Sequence, residues 1–184
     1  MNLFASVLNW LIALPLGQVI AGSMFASNKR LCFRLLWMAR NDQRARRAFF
    51  AGKPFDNQID QRNTHAMKKI IDQYGWPGEK LVGQMGSQAA WLLVQHADHD
   101  REFQKRCHGL LEAAVKKNEA QSNHLAYLTD RVCVGDGVPQ IYGTQWEYPI
   151  ADEEHVDERR AAAGLSSLAE YLTESNEMRR MINK

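Results

Sequence analysis

The stretch Ser87-Gln88-Ala89-Ala90-Trp91-Leu92-Leu93-Val94-Gln95-His96-Ala97-Asp98-His99-Asp100 says most about how this chain folds. Residues 89–94 are apolar without a break, so every side of the helix they predict needs cover, and that helix belongs at the centre of the domain. The second half turns polar. His96 and His99 stand three apart, a spacing that puts both imidazoles on one face of a helix. Asp100 is placed to cap the helix that follows.

Working outward, helical spacing recurs on both sides. Asn28 can cap a first helix with the stripe Leu31, Leu35, Met38, Ala45 and Phe49, stopped by Gly52 and Pro54. A second helix is expected over 59–74, with Met67, Ile70, Ile71 and Tyr74 as its apolar face, broken by Gly75-Trp76-Pro77-Gly78. The central helix is expected to begin near Ser87. A fourth spans 101–117 on Phe103, Cys107, Leu110, Leu111 and Ala114, and a short fifth carries Leu125-Ala126-Tyr127-Leu128. Then the period changes. Val132, Cys133 and Val134, the turn Gly135-Asp136-Gly137, and Val138, Gln140, Ile141 and Tyr142 read as a β-hairpin, with Pro139 marking an edge strand. Helices near 157–163 and 167–181 follow. The expected fold class is mainly α: a compact helical domain with one small β-hairpin, preceded by an apolar N-terminal helix. The expected boundaries are an apolar leader over 1–28, one helical domain over 29–174 and a charged tail over 175–184.

The chain has 184 residues with 23 basic and 21 acidic side chains, a formal net charge of +2. That balance is not a nucleic-acid-binding composition, and 45% apolar content suits a globular domain. Cys32, Cys107 and Cys133 are too few and too scattered for a disulfide framework and fit reduced thiols. The charges are uneven. Residues 1–28 contain no Lys, Arg, Asp or Glu, whereas 29–47 hold Lys29, Arg30, Arg34, Arg40, Arg44, Arg46 and Arg47 against Asp42 alone. From Leu3 to Phe25, 16 of 23 residues are apolar. At about 1.5 Å per residue such a helix spans a hydrocarbon core of roughly 30 Å. Asn9, Gln18, Pro15 and Gly17 interrupt it. A membrane anchor through residues 3–25 is the leading reading, since the basic flank would keep the body in the cytoplasm. A cleaved signal ending at Ala21-Gly22-Ser23, which would give a secreted domain, and a helix packed on the body are the alternatives. The basic face of the first helix is either simply solvated or holds anionic headgroups.

The densest set of reactive side chains is His96, Asp98 and His99. Two imidazoles supply two metal ligands at most, and HExxH is absent, so a third would have to come from His65, His108, His124, Asp98 or Asp130 through the fold. The site is therefore read without a metal: His96 or His99 as general base, with Asp98 or Asp130 as the carboxylate that orients it. Arg131 suits a carboxylate or phosphate, and Tyr142, Thr144, Gln145 and Asn63 offer hydroxyls and amides to a substrate. The competing reading makes these groups hydrogen bonds that close helix ends. No P-loop or dinucleotide fingerprint marks a nucleotide cofactor and no GxSxG marks a serine nucleophile, so the cofactor stays unknown.

The series Asp42-Gln43, Arg62-Asn63-Thr64, Tyr74-Gly75-Trp76-Pro77, Leu81-Val82-Gly83, Ala89-Ala90-Trp91-Leu92-Leu93, HADHD, LAYLTDR, PQIYGTQ and VDERRAAAGL resembles a bacterial family catalogued as domain of unknown function 6624. The resemblance covers residues 31–172 and leaves the leader outside. It implies no activity. It does imply a shared pocket, because Asn63, His96, Asp98, His99, Asp130, Arg131, Gln140, Thr144 and Gln145 recur in that signature. The functional expectation is a hydrolase or group-transfer enzyme for a small polar or anionic molecule. The alternative is a non-catalytic ligand- or protein-binding module tethered to the membrane.

Overall fold

The structure is a computed structural model that describes residues 26–56 and 58–182. Among the described residues seven α-helices follow one another: α1 Lys29–Phe50, α2 Gln58–Tyr74, α3 Glu79–Gln95, α4 Arg101–Lys116, α5 Ser122–Gly135, α6 Val156–Ala162 and α7 Leu168–Ile182. A 3-10 turn, Glu153–His155, leads into α6. α3 is the hub and packs against α1, α2, α4 and α5. Ala89, Ala90, Trp91, Leu92, Leu93 and Val94 are all buried in it, as a run apolar on every face requires. The chain enters α1 along α3: Ser27 and Asn28 donate backbone N–H bonds to the carbonyls of Lys80 and Leu81 at 3.2 and 2.8 Å.

The mainly α architecture is present, with two corrections among the described residues. First, α3 begins at Glu79 rather than near Ser87. It is kinked at Gly83, whose φ of 71° and ψ of 167° lie outside the helical region, so Gly83 and Gly86 sit within the element instead of breaking it. Gly86 is needed just after the kink. A Cβ there would lie 2.7 Å from Val82 Cβ and 3.3 Å from Cys32 Sγ of α1. Replacing Gly86 by Ala is expected to lower the unfolding free energy by about 1–3 kcal/mol, seen as a lower urea midpoint with an unchanged m-value.

Second, there is no hairpin. Val132, Cys133 and Val134 form the last turn of α5, and residues 138–151 are a loop whose only sheet-like contact is an isolated parallel bridge between Gln140 and Ile150. The local β-branched signal loses to α5 packing along α4. α7 continues through 175–182. None of the described helices is long and apolar enough to cross a membrane. The apolar stretch 3–25 and the N-terminal helix expected from it lie outside the described residues.

Candidate functional site

The expected site residues fall into three separate environments. The first is a buried ionic cluster between α1, α2 and the end of α3. The stripe Leu31, Leu35, Met38 on α1 runs on through Asp42, which is completely buried. Asp42 Oδ2 accepts from Gln43 Nε2 at 2.8 Å and from Arg46 Nε at 3.2 Å, and His96 Nδ1 stands 3.0 Å from it. Arg46 Nη2 reaches Asp42 Oδ1 at 3.3 Å and Asp60 Oδ1 of α2 at 2.7 Å.

The protons in this cluster follow from donor chemistry. His96 Nδ1 also lies 3.1 Å from Arg46 Nε, but a guanidinium only donates and a carboxylate only accepts. All three groups are satisfied when His96 Nδ1–H and Arg46 Nε–H both donate to Asp42 Oδ2. In the neutral imidazole His96 Nε2 is then the lone-pair nitrogen. The two carboxylates are driven apart. Burial would raise the Asp42 carboxyl, but His96 and Arg46 outweigh it and hold the group well below the usual carboxylate range. At Asp60 burial prevails over Arg46 and His96, and the carboxyl is raised.

Further along the same face of α2, Asn63 Nδ2 and Thr64 Oγ1 are buried with no hydrogen-bond partner among the described residues. Arg46 also forms one wall of an open cavity of ≈ 450 Å³ lined by Phe49, Phe50 and Phe55, with its Cζ 5.1 Å from the centre of the Phe55 ring. One ligand atom each from Asp42, Asp60 and His96 lies within 4.8 Å of the others, close enough to hold a metal ion. The Arg46 guanidinium already bridges these groups, so a cation would have to displace it.

The second environment lies at the α3–α4 turn. α3 ends at Gln95 and His96 is its C-cap, so His96 and His99 do not share a helix face: His96 is buried and His99 is exposed. Asp100 does cap α4, accepting from Phe103 N at 3.2 Å. Asp98 touches neither histidine in a hydrogen bond. Its oxygens accept from Gln104 Nε2 at 3.0 Å and Arg131 Nη1 at 2.7 Å, and Arg131 Nε donates to Gln95 Oε1 at 2.9 Å.

The third environment is the 138–151 loop. Asp130 is completely buried. Its Oδ1 accepts from the backbone N–H of Ile141 at 2.7 Å and Tyr142 at 2.9 Å, and its Oδ2 from Thr144 N at 2.8 Å and Thr144 Oγ1 at 2.9 Å. Gln145 Nε2 donates to Thr144 Oγ1 at 3.1 Å. Gln140 Nε2 donates to the carbonyls of Gln145 and Tyr148 at 2.7 and 2.8 Å. These side chains hold backbone in place. His96, Arg131 and Asp130 thus take their hydrogen bonds from different sets of partners, with Gln145 joined to the Asp130 set through Thr144.

The core of the first environment was missed in the sequence, except for His96. Arg46 and Asp60 lie in none of the quoted motifs, and Asp42 stood there only in the pair Asp42-Gln43, with no role attached to it. The available signal was that Asp42, the one acid in the basic block, falls on the apolar stripe of α1, where a charge needs a partner.

The fold and this site define an all-helical domain with a buried aspartate–arginine–histidine network at its hub. The chain belongs to the family of unknown function DUF6624, whose model matches residues 35–180. No curated protein and no solved structure matches it.

Proposed function

We propose that this domain is a hydrolase or group-transfer enzyme for a small polar or anionic substrate, with His96 as the general base and Asp42 as the carboxylate that orients it. One observation carries the reading: the 3.0 Å contact between His96 Nδ1 and the buried Asp42, which leaves Nε2 as the basic nitrogen. Nε2 would take the proton from water or from a substrate hydroxyl as that oxygen attacks. Arg46 stands between this pair and the cavity, touching Asp42 and Asp60 on one side and the Phe55 ring on the other. It would meet a carboxylate or phosphate of the substrate.

The test is a turnover screen over small esters, amides and phosphoesters, followed by His96→Gln and Asp42→Asn. Activity is expected to fall about 10²–10⁴-fold in H96Q, with circular dichroism unchanged. D42N is expected to lose activity through the pH profile of kcat as well as its level, because the orienting charge is gone. Turnover that survives H96Q at the parent's rate overturns the reading. So does an H96Q variant that loses stability while the parent turns over nothing in the screen.

A second reading, a non-catalytic module tethered to a membrane through residues 3–25 with its body in the cytoplasm, draws support from the uncharged run followed by basic residues. A salt-resistant membrane fraction that disappears on deleting residues 1–25 supports it. A chain that stays in the soluble fraction excludes it.

A further inference from the structure

We infer that the outward face of α1 is a docking surface for an anionic lipid bilayer, with Trp37 and Phe33 seated at headgroup level and Arg30, Arg34 and Arg44 on the lipid phosphates. The inference stands apart from the chemistry assigned to His96.

The helical period settles which residues share this face. Positions 30, 33, 34, 37, 41 and 44 line one side of α1, opposite Leu35, Ala39 and Gln43, which are buried. Trp37 is 66% exposed and Phe33 43% exposed, so a tryptophan and a phenylalanine one turn apart both face outward. Arg30, Arg34 and Arg44 flank them and are exposed. None of the three has an acidic partner among the described residues. The only acid in α1 is Asp42, on the opposite side, where it pairs with Arg46. Large aromatic rings set among unpaired arginines on one helix face are the composition of an interfacial helix. An indole suits the boundary in particular, with an apolar ring and a polar N–H.

Charge and chain path select the occupant. A second copy of this face would set arginines against arginines. Residues 1–25 contain no carboxylate to pair with them. Anionic headgroups supply the missing charge. The uncharged stretch also joins α1 at Ala26, which is buried, and backbone bonds from Ser27 and Asn28 fix that entry against α3. Any insertion of the preceding residues into lipid would bring this end of α1 to the same surface.

The test uses the full chain with vesicles of phosphatidylcholine alone or mixed with phosphatidylserine, both carrying brominated acyl chains. Trp37 emission is taken as the difference between the parent and Trp37→Phe, which cancels the other four of the five tryptophans. Quenching of that difference is expected on the anionic vesicles, with relief by high salt. The triple variant R30Q/R34Q/R44Q is expected to bind anionic vesicles on the order of a hundredfold more weakly, each arginine near the surface contributing a several-fold factor. Trp37 emission that ignores brominated lipid overturns the inference, even where the chain itself is vesicle-bound, since the leader alone would then hold it. Concentration-dependent self-association that Trp37→Ser abolishes also overturns it, by making a second copy the occupant.

Discussion

Replacing Asp130 by Ala is expected to lower the unfolding free energy by about 3–5 kcal/mol, a large part of the roughly 5–15 kcal/mol available to a domain of this size. The reason lies in what the carboxylate holds. Three backbone N–H groups and one hydroxyl, from Ile141, Tyr142 and Thr144, converge on it at 2.7–2.9 Å. Without an acceptor each buried donor costs about 1–3 kcal/mol, and these costs combine less than additively because the loop relaxes as a unit. Asp130→Asn keeps the shape and one oxygen but turns an N–H₂ towards donors, so most of the loss is expected there too. Urea unfolding gives the free energy. Hydrogen exchange locates it, with the amides of Ile141, Tyr142 and Thr144 expected to lose protection first. A D130N variant that keeps the parent's urea midpoint and loses only turnover would return Asp130 to the catalytic role expected of it from sequence.

The same loop shows why part of the fold could not be read from the sequence. A hairpin strand bonds to a neighbouring strand. Here the neighbours are side chains from distant helices. Asp130 takes the N–H groups, while Arg159 Nε donates to the Ile141 carbonyl at 3.0 Å and the buried Arg160 donates Nη1 to that of Tyr142 at 2.6 Å. Tyr171 donates its hydroxyl to the Thr144 carbonyl at 2.8 Å. Gly143, at a φ of 69°, makes the turn between these anchors. The alternation of Val138, Gln140 and Tyr142 looks like strand periodicity because the local sequence does not show which groups will receive its hydrogen bonds. The helices were legible for the opposite reason. Asn28 caps α1, with its Oδ1 accepting from Leu31 N at 3.0 Å, and Met67, Ile70 and Ile71 are buried as their spacing requires. Those signals lie within a few residues of one another.

The candidate site followed the same division. His96 was legible as a histidine leaving an apolar helix. Its partner Asp42 stands 54 positions earlier in the chain, on a helix whose basic residues drew attention to the solvent side instead. The basic block itself divides between the two faces of α1. Arg46 is turned inward to Asp42 and Asp60, while Arg30, Arg34 and Arg44 stay outside. Counting all seven cations as one flank mixes a structural group with a surface one.

Acidification from pH 7 to pH 4 is expected to cost about 3 kcal/mol of stability through His124 alone. Its ring stacks on Trp91, centroids 4.3 Å apart and 12° from coplanar, inside the contact between α3 and α5. Nε2 has no hydrogen-bond partner among the described residues, so nothing there welcomes a proton, and burial pushes the imidazole pKa down to about 3. In the unfolded chain the group titrates near its ordinary value of about 6.5. Between those two values the unfolded state binds one more proton than the folded one, so stability falls as pH falls, by about 1.4 kcal/mol per unit. The depressed Asp42 carboxyl acts in the same sense but in a lower window. Its contribution is complete above the unfolded value of about 3.9 and is lost only below that. His108, lowered by burial, adds to the His124 slope, and His155, raised by Asp152, opposes it. Urea midpoints across this range separate these contributions. His124→Phe keeps a stacked ring, removes the unpartnered nitrogen and is expected to flatten the slope above pH 4.5, while His108→Gln leaves most of it in place. A parent whose midpoint is level between pH 6.5 and 4.5 would mean that the His124 ring finds water or a partner when protonated. The stack on Trp91 would then not be the closed environment described for it.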